Sequence, residues 1–411
     1  MKNRNKRGFT IVELVIVVAV IAILAAVLIP TFVGLVAQAN QSADQQAVAN
    51  MNKLLAISDI PEDVDDVIDI LIANDYAGDL TTYYAKYSLA WVAEKNVIVL
   101  VEDGAVVFPE QYAGLAFEII KPMASDAQAV IDSMESGKTV YINANVTAKG
   151  TDDFKFTTSG DYALNLNGKT LTTNDQGGGI YASGEGTKIT LSNGIVSGAS
   201  TSTAIAAYDG GELDIDNLII TDSKGVSIQS KNGAKVSVRN TKVYGANGTN
   251  PIQCYGGNLT LDEVIAVQSG EAATVWYDSA VQVVNLIQKN EEGKYVIKAQ
   301  ASTTINSGSY TGDKAIQISA PGGNVTINGG TFTTTGTYVI QDDFAPQNYI
   351  DGSNYESVIT INGGTFDGQF KVSSATVVVL NGGTFTFEPN ASWIGEGHTV
   401  VNNGNGTWTV K

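Results

Sequence analysis

Two acid pairs, Asp152-Asp153 and Asp342-Asp343, carry the residue types from which a hydrolytic site is built. Glycoside hydrolysis with inversion needs two carboxylates about 6.5–9.5 Å apart. Both pairs fall in turn-like stretches, where solvated acids are the ordinary outcome. Elimination on an acidic polysaccharide needs a cationic base, usually Arg, beside acids that hold calcium. Arg239 is the one arginine beyond residue 7, and no acidic motif surrounds it in the sequence. His398 is the one histidine, with no neighbour to orient it, so a Ser or Cys nucleophile has no base at hand. Cys254 is the one cysteine. It excludes an intrachain disulfide and a thiolate zinc site, and it reads as a small buried hydrophobe. The acids Glu62, Asp63, Asp65 and Asp66 read as a solvated helix face rather than a cation site. There is no phosphate-binding loop and no calcium-binding nonapeptide repeat. These residues point away from an enzyme, a cofactor or a metal.

Glu13 is a different kind of acid. From Phe9 to Ala37 the chain runs 29 residues with Glu13 as its one charge. About 20 apolar residues suffice for a helix to span a bilayer. The basic flank of Lys2, Arg4, Lys6 and Arg7 belongs on the cytoplasmic side. No small-residue secretory cleavage site follows the apolar run. A carboxylate within such a helix is costly and calls for a partner. Were the chain cut between Gly8 and Phe9, a new ammonium would lie one helical turn from Glu13. Neither charge is comfortable in an apolar bundle unless paired. Pairing Glu13 with the Phe9 amine of a neighbouring subunit would set the axial register between helices.

Gly8, Phe9, Thr10 and Glu13, ahead of an apolar helix with a kinking Pro30, resemble the N-terminal signal of type IV prepilins and type II secretion pseudopilins. The resemblance covers roughly the first 50 residues of 411. It implies cleavage between Gly8 and Phe9 by a prepilin peptidase, and N-methylation of Phe9. It also implies a single membrane pass through lipid before assembly, then packing against other pilin or pseudopilin subunits in a type IV pilus or secretion pseudopilus. The C-terminal part is then extracellular. A large cargo favours a minor or tip subunit, with adhesion to polysaccharide or a cell-surface glycan as one expectation. A membrane-tethered carbohydrate-active enzyme is the alternative.

The formal charge of -18 comes from 24 basic and 42 acidic residues. Without residues 1–8 the chain keeps 20 basic residues against 42, or -22. That balance argues against nucleic acid as a partner.

The elements follow in order. The fold class expected is α+β: a long N-terminal transmembrane helix with a small antiparallel sheet, then an all-β right-handed parallel β-helix. The divisions are a leader at 1–8, the assembly helix at 9–57, an α/β head at 58–123 and the β-helix at 124–411. Val36, Ala39, Ala43, Ala47, Met51 and Leu54 form the stripe of the helix beyond the membrane. Pro61 and its acids open a second helix that Gly78 stops. Tyr83–Phe108 reads as strands. Within it Leu89–Ala93 and Val97–Val101 form a hairpin, and Asp103-Gly104 turns into Ala105–Pro109. Asp126–Glu135 is a short helix that covers the open edge of the β-helix.

The second half carries a repeat. Ile327-Asn328-Gly329-Gly330-Thr331-Phe332 recurs from Ile361 and from Leu380. Degenerate copies start at Leu166, Leu191, Ile215, Val238, Leu261 and Ile305. Their spacings are 25, 24, 23, 23 and 44, then 22 to Ile327, 34 to Ile361 and 19 to Leu380. A period of about 20–30 residues marks a solenoid. The gap of 44 reads as two periods, with Val283-Val284-Asn285 in place of a missing copy. Gln341–Ser357 reads as an inserted loop. Asn193, Asn217, Asn240, Asn328 and Asn362 are expected to bond from coil to coil.

Overall fold

The computed structural model describes residues 18, 38–74, 76, 87–102, 104–120, 127–142, 144–148, 154–173, 179–198, 203–223, 225–245, 249–269, 278–320, 322–343 and 357–411. The chain divides into two compact units, Met1–Pro122 and Met123–Lys411.

In the first unit, residues 38–55 are helical (α1). The buried stripe is Val48, Met51 and Leu55, while Ala39 and Ala43 are exposed. The helix is therefore rotated from the expected phase, because the larger Val48 and Leu55 bury more apolar area than alanines do. Helix α2, Val64–Ala73, starts at Asp63, whose carboxylate accepts from the backbone N–H groups of Asp65 (2.9 Å) and Asp66 (3.0 Å). The acidic run is thus a helix cap that satisfies orphan donors. The helix ends at Ala73 with Asn74 as its cap, short of the expected stop at Gly78, which lies outside the described residues.

Strands β1 (Ser88–Val92), β2 (Val97–Glu102), β3 (Ala105–Phe108) and β4 (Glu118–Ile119) form an antiparallel sheet in the order β3-β2-β1-β4. The β1–β2 turn is a short 3-10 segment closed by Asn96 in the left-handed region at φ 50°. Asn tolerates that backbone through its short polar side chain. One sheet face buries Ala90, Val92, Val99, Val101 and Val106 as a cluster.

The second unit is a 27-stranded ladder whose strands are parallel except at its C-terminal end. Each coil passes through three faces, and successive coils pair in register. This arrangement is consistent with a parallel β-helix. On face A, Val140, Leu164, Leu191, Ile215, Val238, Leu261, Ile305, Ile327, Ile361 and Leu380 stack one above another. Leu164, not Leu166, is therefore the partner of Leu191: the first corner is longer, with Asn167 at φ 48° taking the turn.

Leu261 pairs directly with Ile305, so the interval of 44 residues is one enlarged coil rather than two. Much of the extra length is an antiparallel hairpin, Leu286–Lys289 with Tyr295–Ala299. Val283 instead stacks between Cys254 and Ile318 on the third face, face C, whose strands include Ile205–Tyr208, Ile228–Lys231, Ile252–Tyr255, Ser279–Val284 and Lys314–Ile318. In the expected loop, Gln341 and Asp342 end a strand and Ser357 begins the next. Residues 344–356 lie outside the described residues.

Face B follows face A across the Asn-Gly-Gly corner, and the asparagine, both glycines and the aromatic of the repeat each have a structural cause. Asn328, Asn362 and Asn381 each donate to the asparagine one coil earlier at 2.9, 2.8 and 2.9 Å. A Cβ on Gly329, Gly363 or Gly382 would lie 2.8, 2.6 or 2.3 Å from the carbonyl oxygen of that same earlier asparagine. Gly330, Gly364 and Gly383 sit at φ 110°, 105° and 112°, where side chains are strained. The aromatic then points inward. Tyr310, Phe332, Phe366 and Phe385 stack with centroids 5.1, 4.8 and 5.1 Å apart and planes within 11°. That spacing is the strand separation of a sheet, ~4.8 Å. The earlier corners use Asn193 and Asn217, joined at 3.0 Å, whereas Asn240 donates to Asp216 at 2.8 Å.

Both ends of the core are covered. Helix α3, Ala127–Ser133, buries Ala127 and Val130 in the core, with Ile131 and Met134 packed against it. At the far end Trp408–Val410 pairs antiparallel with Gly383–Phe385, and Phe370, Phe387 and Trp393 gather over the last coil. Such covers blunt the unpaired edges a stack of coils would leave.

Candidate functional site

The residues expected to carry processing and assembly, Gly8, Phe9, Glu13 and Pro30, lie outside the described residues. Among the described residues no helix is long and apolar enough to cross a membrane. The expected span, Val18 apart, falls outside them.

Of the candidate chemical groups, Asp152-Asp153 also lies outside them. Asp342 and Asp343 are not solvated turn acids. Asp342 is 2 % exposed at the end of a strand, and its carboxylate accepts from the Thr376 hydroxyl. Asp343 accepts from Gln317 at 3.2 Å, Gln341 at 2.8 Å and Lys371 at 3.4 Å. The amide and ammonium donors of face C hold this acid, which explains its position better than a base waiting for water.

Arg239 does have acidic neighbours, which only the coil register brings together. It is flanked on face A by Asp216 and Asp262, and it approaches Asp216 at 3.9 Å. Asp262 is engaged by Ser307 at 2.7 Å, and among the described residues no three potential ligands gather as a metal site. His398 is half-buried, and its ring Nδ1 meets the Glu396 carbonyl oxygen at 3.0 Å. The Cys254 thiol is buried and donates to the Gly257 carbonyl at 3.1 Å. Burial pushes its pKa up, which keeps it a thiol rather than a nucleophile.

The most heavily built polar arrangement is on face C. Gln229, Gln253, Gln282, Gln317 and Gln341 stack in register on its outer side. Gln229 donates its amide to Gln253, and Gln253 to Gln282 at 2.5 Å. Gln282 then donates to Ser319 at 2.9 Å. Two residues further along the strands, Tyr208, Lys231 and Tyr255 are stacked partners. The Lys231 ammonium lies 5.8 Å from the Tyr208 ring centroid and 5.4 Å from that of Tyr255. Tyr208 meets Tyr181 at 5.5 Å, and the Tyr181 hydroxyl donates to the Thr203 carbonyl at 2.8 Å. Burial, then Tyr181, push the Tyr208 phenol up to about 12, so it stays protonated. Sequence reading did not single out these residues. The signal was available, because Tyr208, Lys231 and Tyr255 are separated by 23 and 24 residues, one coil each.

At the start of a face C strand, Lys314 is buried against Asp278 at 2.6 Å and meets Asp313 at 2.9 Å. Burial disfavours its ammonium, but the two carboxylates outweigh it and hold the pKa above the ordinary lysine value. The pair joins neighbouring coils and is structural.

Comparison with known proteins gives one positive result. The prokaryotic N-terminal methylation motif matches residues 3–29. That is the signal of type IV pilins and pseudopilins, a structural rather than an enzymatic family. No curated protein matches the chain, and no solved structure does.

Proposed function

We infer that this chain is a prepilin-like subunit of a type IV pilus or a type II secretion pseudopilus. The match of residues 3–29 to the N-terminal methylation motif carries the reading. A prepilin peptidase cuts between Gly8 and Phe9, and the new amino group of Phe9 is methylated. Residues 9–57 form the helix that lies in the membrane before assembly and in the filament after it. Glu13 pairs with the Phe9 amine of the adjacent subunit, and Pro30 kinks the helix. Residues 58–123 are the head. Residues 124–411 form a right-handed β-helix displayed outside the cell. A cargo of that size on every subunit would crowd a filament, which favours a minor or tip position.

The stacked core supports a display role. An exported protein with one cysteine cannot rely on disulfides. Here in-register apolar columns, asparagine ladders and stacked rings take their place.

The test is Glu13→Ala in the native cell. The variant is expected to insert in the membrane and to be absent from sheared filaments or pseudopili. Incorporation equal to that of the unaltered chain would contradict the reading.

A further inference from the structure

We propose that the outer side of face C, centred on Tyr208, Lys231 and Tyr255, binds an uncharged polysaccharide. The three side chains come from consecutive coils and share one row. All three are half-buried, held by the sheet beneath yet open to solvent on one side. Tyr208 and Tyr255 each keep part of the ring open to solvent, apolar carbon that suits the C–H groups of pyranose rings. The spacing between coils, ~4.8 Å, is close to the rise of a sugar repeat, so a glycan strand laid along the stack meets a new side chain at each residue. Lys231 has no carboxylate partner among the described residues. Its ammonium lies 5.8 Å and 5.4 Å from the two ring centroids, and the half-buried side chain keeps part of that donor group open to hydroxyl groups. The neighbouring row of Gln229, Gln253 and Gln282 is engaged in its own hydrogen bonds, with Gln229 and Gln282 buried, and it stiffens the surface beside the three side chains.

Net charge selects the class. Without residues 1–8 the chain carries -22, and a field of that sign repels polyanionic glycans at long range. The proposal rests on the reading that this unit is displayed outside the cell. Its test uses purified protein, so it stands or falls separately from filament assembly.

Full-length protein in detergent is passed over insoluble cellulose, chitin, mannan and starch, with pectate as the polyanionic control. The unaltered chain is expected to be retained on at least one neutral polymer. On that polymer Tyr208→Ala, Tyr255→Ala and Lys231→Met each weaken binding about ten-fold, the scale of a lost anchor residue. Tyr208→Phe keeps the ring and binds as the unaltered chain does. Tyr244→Ala, an exposed tyrosine on face B, also leaves binding unchanged. Circular dichroism confirms that each variant folds. Retention on pectate alone, retention on none of the polymers, or face C variants that bind like the unaltered chain would each overturn the proposal.

Discussion

Asn52 and Ile98 are joined by two hydrogen bonds across the first unit. The Asn52 amide donates to the Ile98 carbonyl at 2.9 Å, and the Ile98 N–H donates to the Asn52 side-chain oxygen at 2.6 Å. One side chain on α1 thus gives β2 the donor and acceptor that a strand neighbour would supply. Strand β3 stops short of this position, its last partner on β2 being Leu100. The link ties the helix to the sheet by backbone geometry as well as by apolar contact.

Replacing Asn52 with Ala is expected to leave both Ile98 groups without partners, a cost of about 1–3 kcal/mol. Hydrogen exchange on the full-length protein reads it directly. The Ile98 amide should exchange roughly ten-fold faster or more, while amides paired between β1 and β2 change little. Unchanged protection of Ile98 would show that the bond carries no weight.

Phe366 sits in the middle of the ring stack, between Phe332 and Phe385, and is fully buried. Phe366→Ala should destabilise the second unit by about 3–5 kcal/mol, and Phe366→Leu by clearly less. Thermal unfolding followed by near-ultraviolet dichroism distinguishes them. Equal melting of the two variants would contradict the account of the stack.

Lys314→Met leaves Asp278 buried without its cation and should cost about 3–5 kcal/mol, whereas the double change with Asp278→Leu recovers much of the loss. The pH dependence has a fixed sign. The Lys314 pKa is raised above 10.5, so the pair's contribution is complete below that value and disappears as pH rises through the higher folded-state value. The gap in melting temperature between the unaltered chain and the double variant should therefore stay constant near neutrality and change in strong alkali. A gap that does not change in strong alkali would contradict the assignment to Lys314.

Gly363→Ala places a Cβ 2.6 Å from the Asn328 carbonyl oxygen, a backbone atom that cannot step aside. The expected cost is about 1–3 kcal/mol, as for overpacking in a filled core. Gly404→Ala makes a useful contrast. Nothing lies within 4 Å of its Cβ, and only its φ of 76° opposes the change. The first variant should lose its coil-to-coil asparagine protection in hydrogen exchange, and the second should not.

The repeat was legible because Ile327, Ile361 and Leu380 each begin the same six-residue unit, and a periodic sequence folds into periodic contacts. The 44-residue interval misled because an inserted hairpin preserves the count of two periods while pairing Leu261 with Ile305. The phase of α1 was misjudged because alanines fit a helical stripe as well as Val48 and Leu55 do, and only the opposing sheet decides between them. The acidic setting of Arg239 and the row of Tyr208, Lys231 and Tyr255 depend on register between coils, which a linear reading does not follow. The N-terminal signal stands out in the sequence for the opposite reason. Leader, Gly8, Phe9 and Glu13 lie side by side in sequence, and the methylation motif covers them.

The central claim is that the chain is cut and methylated at its N-terminus, and mass spectrometry of the protein from its native cell tests it most directly. The predicted result is a mature N-terminal peptide that begins with N-methylated Phe9. An intact leader, or cleavage at any other bond, would contradict it.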